Sequence, residues 1–417
     1  MAIGYACVAV GVPGAGMIGC TLKNAGEHKL RSMISSNLKA LEVLVDYNKE
    51  NGIKLFRISS DIIPFASHPV NQIPWWINYR DELMGIGIRI REAGIRVSMH
   101  PGQYTVLNSP GAGVVQNAIG DLIYHDRVLH SLGMDRSNKL VLHIGGSYGD
   151  KAHAMKTFVE NYRGLPQELK DRLVIENDDK TYHVKEVLSI SELTGAPVVF
   201  DNLHHMVRPP DQVLPMEYWV RECGRTWQKE DGSQKLHYSE QKIGGVPGAH
   251  SDTVGLVNFL DFYDRLPEQK PDIMLEVKDK NLSAIKCILG VKDASTKDLE
   301  QEWYRYQYFL LSRSAELYHS SKALLQGKVS GCVKEFYEFL EEAYELPENP
   351  EAEMNAAQHI WGYLSGGSNN RERNRYYKLM EAYQRGTGEI RAVKNHLMKM
   401  ANLRDLDDLT QSLYFYL

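Results

Sequence analysis

Seven imidazole and carboxylate side chains, His100, His143, Glu176, Asp201, His204, His237 and Glu276, fall late in, at the end of or just beyond short apolar runs, with His237 within its run. Imidazole and carboxylate without thiolate is the donor mixture that suits Zn, Mn or Fe, and a set this large has room for more than one ion. Clustered divalent ions can clamp a phosphodiester, make a water reactive near neutral pH and stabilise a leaving oxygen. The same donors could instead move a hydride or proton within a sugar, so chemistry alone leaves hydrolysis and isomerisation open. A single histidine near a strand end is more often a hydrogen-bonded core group, and a single carboxylate there can cap the next helix. Agreement among all seven positions makes a polynuclear metal centre the better reading. His250, in the loop after the seventh run, can join the set. His28, His125, His130, His153 and the histidines of the C-terminal region lie in helical or terminal segments and are read as structural.

Those seven residues need elements that bring them together. Short β-rich runs occur at residues 3–10, 55–59, 95–100, 139–145, 172–178, 197–202, 235–239 and 272–277, with segments of helical period between them. Residues 30–52 are such an amphipathic segment, and their closing Asn-Gly stops a helix before the next strand. Eight strands alternating with helices predict a TIM (β/α)8 barrel, whose C-terminal strand ends converge on one mouth. A doubly wound sheet alternates in the same way, but no G-x-G-x-x-G follows the first run. Beyond residue 292 the β-branched runs give way to helical segments. The expected organisation is a barrel over residues 1–292 and an all-helical domain over 293–417.

A chain of 417 residues with 43% hydrophobic and 24% charged residues is neither disordered nor fibrous. Its net charge of −5 means that a nucleic acid would have to be held by a local basic surface. Five scattered cysteines, Cys7, Cys20, Cys223, Cys287 and Cys332, form no C-x-x-C pair, which argues against a thiolate zinc site or a disulfide framework and for a reducing cytoplasm. No apolar run is long enough to span a bilayer, so no membrane partner is expected. No G-x-x-x-x-G-K-[ST] is present, so no nucleotide cofactor is expected either.

His100-Pro-Gly-Gln-Tyr104, following Arg57, Ser59 and Ser60 and the PFASH run at 64–68, resembles the UV damage endonucleases. The resemblance continues through LVLHIGG (140–146), LVIENDD (173–179), VFDNLHH (199–205), KLHYSEQ (235–241), GAHSD (248–252) and LEVKDKN (275–281), and so covers the barrel in order. It implies a TIM-barrel relative of the endonuclease IV family with three metal ions, usually assigned as manganese, with zinc and magnesium as alternatives. It also implies incision of duplex DNA immediately 5′ of UV photoproducts, both cyclobutane dimers and 6-4 photoproducts, leaving a 3′-hydroxyl and a 5′-phosphate to start excision repair.

The resemblance makes His100, His143, Glu176, Asp201, His204, His237, His250 and Glu276 the metal ligands, with Glu176 and His237 central to catalysis. It adds Lys235 as a catalytic residue carried in a modified form close to the metals; Lys235 and His237, two apart on one strand, share a face. Gln103 and Tyr104 become the pair that probes the duplex, an amide meeting orphaned base edges and a ring replacing lost stacking. Tyr5 and His68 are implied around the pocket that receives the damaged nucleotides. The loop after the first strand, VAVGVPGAGMIG, departs from the family by being longer, apolar and Gly-rich.

The C-terminal region resembles, less specifically, an uncharacterised helical module of bacterial proteins. Acidic residues from Glu335 to Glu353 crowd one segment of it, and Arg371, Arg373, Arg375, Lys378, Arg385, Arg391, Lys394 and Lys399 crowd the next. Such runs are ordinarily solvated helix faces; a contact with DNA phosphates or with a protein partner is the functional alternative. Rival readings for the whole chain are an abasic-site endonuclease of endonuclease IV type, a metal-dependent sugar isomerase-like barrel, and a non-catalytic binding module.

Overall fold

A computed structural model describes residues 1–292, 294–326 and 332–417. Eight parallel strands, β1 Ile3–Ala6, β2 Leu55–Arg57, β3 Arg96–Ser98, β4 Leu140–His143, β5 Leu173–Glu176, β6 Val198–Asp201, β7 Lys235–Tyr238 and β8 Asp272–Leu275, run in the order β3-β2-β1-β8-β7-β6-β5-β4. The two ends of that sheet are joined by a parallel bridge between Met99 and Leu140, with Met99 N donating to Lys139 O and Val141 N to Met99 O, each at 3.0 Å. The sheet is therefore a (β/α)8 barrel, as the alternation predicts.

Each strand is shorter than the apolar run that announces it. β1 ends at Ala6 because Cys7 turns to a left-handed φ of 72°, which no ladder accommodates. Alternation then sorts side chains between lumen and helices. Ala6, Leu55 and Met274 form one interior cluster, and Val141, Val174 and Val199 another, each of these valines two residues before a polar position of the mouth. Gly4 marks a close approach, since a Cβ there would lie 1.6 Å from Leu55 O. The amphipathic segment at 30–52 forms the helix Glu27–Glu50, and Gly52 takes the left-handed φ of 68° that the turn requires.

Contacts divide the chain into two compact units. One comprises Met1–Ala9, Pro13–Val254 and Asp261–Ile285; the other comprises Val10–Val12, Gly255–Leu260 and Lys286–Leu417. Residue 293, the first of the expected helical domain, lies outside the described residues. Within the second unit the helices Thr296–Arg313, Pro350–Ser365, Asn370–Gln384 and Ile390–Asn402 enclose a core of Ile360, Trp361, Leu364, Tyr376, Val393 and Leu397. Trp361 and Tyr376 stack there with ring centroids 4.1 Å apart and planes 9° from parallel. The acidic run of that unit is partly structural: Glu341 accepts from Leu256 N and Lys286 Nζ, each at 2.9 Å, and Glu353 is buried against Lys394.

Candidate metal centre and the cavity beside it

Strand register places the polar layer of the barrel mouth. His143 pairs with Glu176 across β4 and β5, and Asp201 with His237 across β6 and β7. Lys235 lies below His237 on the same lumen face of β7, and Glu276 follows β8. His100 follows β3, and His204 lies in the helix Asn202–Val207 after β6.

Glu176, 1% exposed, is the hub. Its Oε1 accepts from His237 Nδ1 at 2.7 Å, its Oε2 lies 3.1 Å from His100 Nε2, and His143 Nε2 stands 3.6 Å from the same oxygen. Two groups of donors close enough to hold an ion share it: His100, His143 and Glu176, and Glu176, Asp201 and His237. His204 Nδ1 is 3.7 Å from Asp201 Oδ1, and His250 Nε2 is 3.9 Å from Glu276 Oε2. All eight residues expected as ligands thus line one mouth, with His250 the most peripheral.

Ring protonation differs between the histidines of the layer. A carbonyl only accepts, so His100 Nδ1 donates to Pro101 O at 3.0 Å, which leaves its Nε2 toward Glu176, and His204 Nδ1 donates to Asn177 O at 2.9 Å. Burial, opposed by Glu176, brings His100 down to about 4, a neutral imidazole. His204 goes the other way, up to about 9, because Asp201, Glu176 and Glu276 overcome its burial. Burial would raise Glu176, yet His237 and His143 hold it well below the usual carboxylate range; Asp201 is raised by burial.

Several buried atoms of this layer have no hydrogen-bond partner: Asp201 Oδ2, His237 Nε2, His143 Nδ1 and Lys235 Nζ. Leaving a buried polar atom unsatisfied costs about 1–3 kcal/mol, so this many in one layer is the mark of a group that belongs there. Divalent ions fit the carboxylate and the imidazole among them. Burial, reinforced by Arg96 and Arg57, lowers Lys235 to about 7, so its amine is unusually easy to have neutral.

Arg57 is a functional candidate that sequence reasoning left only as part of a motif. Its guanidinium, 14% exposed, donates to Glu276, which is held below the normal range because that cation overcomes its burial. The signal was present, since Arg57 ends β2 on the lumen face.

Beside the mouth lies a cavity of about 620 Å³ whose lining includes Tyr104, His68, Phe65, Ser59, Met17 and Ile18. Tyr104 is 70% exposed, and Gln103 is exposed next to it. Gly102 makes room for the ring: a Cβ there would meet Tyr104 Cε1 at 2.5 Å. The departing first loop contributes Val8 and Met17 to Cys20, giving the cavity an apolar wall.

Tyr5 does not line this cavity, contrary to expectation. It alternates away from the lumen, is fully buried between β1 and the helix Glu27–Glu50, donates to Asn48 Oδ1 at 2.9 Å and packs edge-on against Phe56. His125, read from sequence as structural, belongs to a network under the site. Its Nε2 lies 2.9 Å from Ser60 Oγ, and Ser60 Oγ donates to His100 O at 2.9 Å. Asp121, one helical turn earlier, accepts from Thr105 Oγ1 at 2.6 Å and from Ser67 Oγ at 3.0 Å, tying the Tyr104 loop to the His68 loop. Helix-interior polar residues carry no strand-end signal, which is why sequence alone passed over them.

Residues 15–300 match the UV-endonuclease UvdE family, and residues 307–417 match a protein family of unknown function, DUF1722. The chain is 38% identical over 386 residues to a UV DNA damage endonuclease of Clostridium perfringens (strain 13 / Type A), spanning 91% of this chain and 92% of that one. It is 34% identical over 268 residues to a UV DNA damage endonuclease of Bacillus cereus (strain G9842), spanning 64% of this chain and 84% of that one. The crystal structure of SacUVDE superposes with a TM-score of 0.66 at 40% identity, covering 69% of this chain and 98% of that one.

Proposed function

The chain belongs to the UV-endonuclease UvdE family, and from that membership we propose that it is a metal-dependent endodeoxyribonuclease acting on UV-damaged double-stranded DNA. It incises the phosphodiester immediately 5′ of cyclobutane dimers and 6-4 photoproducts and leaves a 3′-hydroxyl and a 5′-phosphate. The observation that carries this reading is the layer of convergent donors around Glu176, with Asp201 Oδ2, His237 Nε2 and Lys235 Nζ buried and unpartnered.

Divalent ions, about three and manganese first among them, supply Lewis acidity and an activated water when bound. The chain's own residues do the rest. Glu176 serves both donor groups, so it fixes their separation. His100 and His204 hold their ring orientation through main-chain acceptors, and His100 presents Nε2 to Glu176. Lys235, neutral at little cost in its buried position, is available for modification or for holding a proton beside the reacting phosphate. Arg57 holds Glu276 in place and puts a fixed positive charge near the phosphodiester.

Damage is selected by the cost of leaving the stack. A photoproduct stacks poorly and is cheaper to extrude than a normal pair, for which unstacking costs a few kcal/mol. Tyr104, exposed at the cavity edge, replaces lost stacking; Gln103 meets orphaned base edges, and His68 shares the cavity wall. The apolar first-loop wall favours a lesion with exposed hydrophobic edges. The barrel, residues 1–292, performs this chemistry in the bacterial cytoplasm, with residues 293–417 as an accessory domain.

The test is incision of a labelled duplex carrying one cyclobutane dimer, beside undamaged and abasic duplexes, with metal-stripped and manganese-restored protein. A manganese-dependent cut just 5′ of the dimer is expected. Preferential cleavage of the abasic duplex would move the activity to the endonuclease IV class, and aldose turnover without any cut would move it to the isomerases.

A further inference from the structure

The basic run of the C-terminal unit resolves, in three dimensions, into groups with different fates. Lys394 is buried against Glu353, Arg385 pairs with Glu381 one turn away, and Arg373 donates to Ser365 O. Arg371, Arg375 and Lys378 remain, on one face of the helix Asn370–Gln384 by their spacing of four and three residues. Lys399, unlike the exposed Arg391 of the same helix Ile390–Asn402, faces them across a groove of about 990 Å³. All four side chains are exposed, and among the described residues none of them makes an ion pair.

Asn374, Asn395 and His396 also line the groove and add hydrogen-bonding groups. His396 Nε2 donates to Glu372 O at 3.1 Å. The one carboxylate of the lining, Glu372, is already used: it accepts from Asn369 N at 3.0 Å and from Arg404 at 2.9 Å. The groove is thus a concentration of uncompensated positive charge on a chain whose net charge is −5. Arg371 to Lys378 rise about 10 Å along the helix, about three base-pair rises along a duplex axis.

We propose that the groove between the helices Asn370–Gln384 and Ile390–Asn402 binds the phosphodiester backbone of duplex DNA without reading its sequence. It would hold the chain on undamaged DNA while the barrel meets a lesion. The choice of DNA over another polyanion rests on the function proposed for the barrel; the phosphate chemistry of the groove does not. Guanidinium forks, point-charge lysines and amides suit phosphate oxygens, and no Phe, Tyr or Trp is among the residues lining the groove.

The test uses the full-length protein and a short undamaged duplex, with affinity measured by fluorescence anisotropy across a potassium chloride series. In the combined Arg371→Ala, Arg375→Ala, Lys378→Ala and Lys399→Ala variant, binding near 0.1 M salt should weaken about tenfold or more. The slope of log K against log salt should become shallower by about 3.6, at roughly 0.9 for each of the four phosphates no longer neutralised. An Arg371→Lys, Arg375→Lys variant keeps the charges and should bind within about twofold of the parent. Unchanged affinity and slope in the alanine variant overturn the proposal. Loss of binding to a structured RNA with duplex affinity intact also overturns it, in favour of RNA. If the parent protein fails to cut a dimer but the alanine variant still loses duplex affinity, the reading of the barrel falls and the groove stands.

Discussion

Asp121 should govern damage discrimination without touching the metals. Its carboxylate is 4% exposed and sits in neither donor group, yet it anchors the probing loop through Thr105 Oγ1 at 2.6 Å, with Thr105 itself 2% exposed. The bond to Ser67 Oγ at 3.0 Å is longer and Ser67 is exposed, so most of the anchoring resides in Thr105. A buried hydrogen bond to a charged group contributes about 1.5–3 kcal/mol. Asp121→Ala removes that and strands a buried hydroxyl, so the Tyr104 loop loses about 3 kcal/mol of preference for its anchored position. If only the anchored loop probes the duplex, affinity for damaged DNA falls by up to about 150-fold, at tenfold per 1.4 kcal/mol. Asp121→Asn, which can still accept from Thr105, should fall by about tenfold or less. The assay is the ratio of incision of dimer-containing to undamaged duplex, run beside metal content by mass spectrometry. A ratio equal to the parent's in a folded, fully metallated Asp121→Ala protein refutes the reasoning.

Other substitutions separate the metals from the loop. Glu176→Gln, which weakens both donor groups at once, should abolish incision and reduce bound manganese while damaged duplex still binds; retained cutting would remove Glu176 from the site. Tyr104→Ala should cost about 1–3 kcal/mol of stacking, so discrimination should drop by about tenfold or more with metal content unchanged, and equal discrimination would end its probing role. Stripping the metals should lower the melting temperature of the barrel, since ligand at 100 times its Kd stabilises by about 2.7 kcal/mol per site; no shift on restoring manganese would count against a resident metal. Lys139→Met takes from buried Asp231 its nearer cation, 2.6 Å away, leaving only Arg136 at 3.5 Å, and should destabilise the barrel by up to about 3–5 kcal/mol in chemical denaturation; a change below about 1 kcal/mol would show that the pair breaks even with its desolvation.

The ligand layer was legible because a barrel strand has a period of two. In LVLH and LVIE the last residue shares the lumen with the valine two before it, so a polar residue there can only face the mouth. The same period sends Tyr5 away from the lumen toward Asn48, and the motif resemblance overrode it. Asp121, His125 and the full use of Arg57 stayed hidden because their partners, Thr105, Ser60 and Glu276, come from distant segments that only the closed barrel brings within reach. The basic run was visible as composition. Which cations face a groove and which, like Lys394, neutralise a buried Glu353 depends on the packing of the helices.

His100 and His204 owe their orientation to the carbonyls of Pro101 and Asn177, main-chain groups that every amino acid supplies. In a metal centre whose histidines are oriented by neighbouring carboxylates, a single codon change can delete the orienting partner. Here no such change exists for these two rings, short of moving the backbone itself. That places the fragility of these two rings in the histidines themselves and in the backbone that bears Pro101 and Asn177.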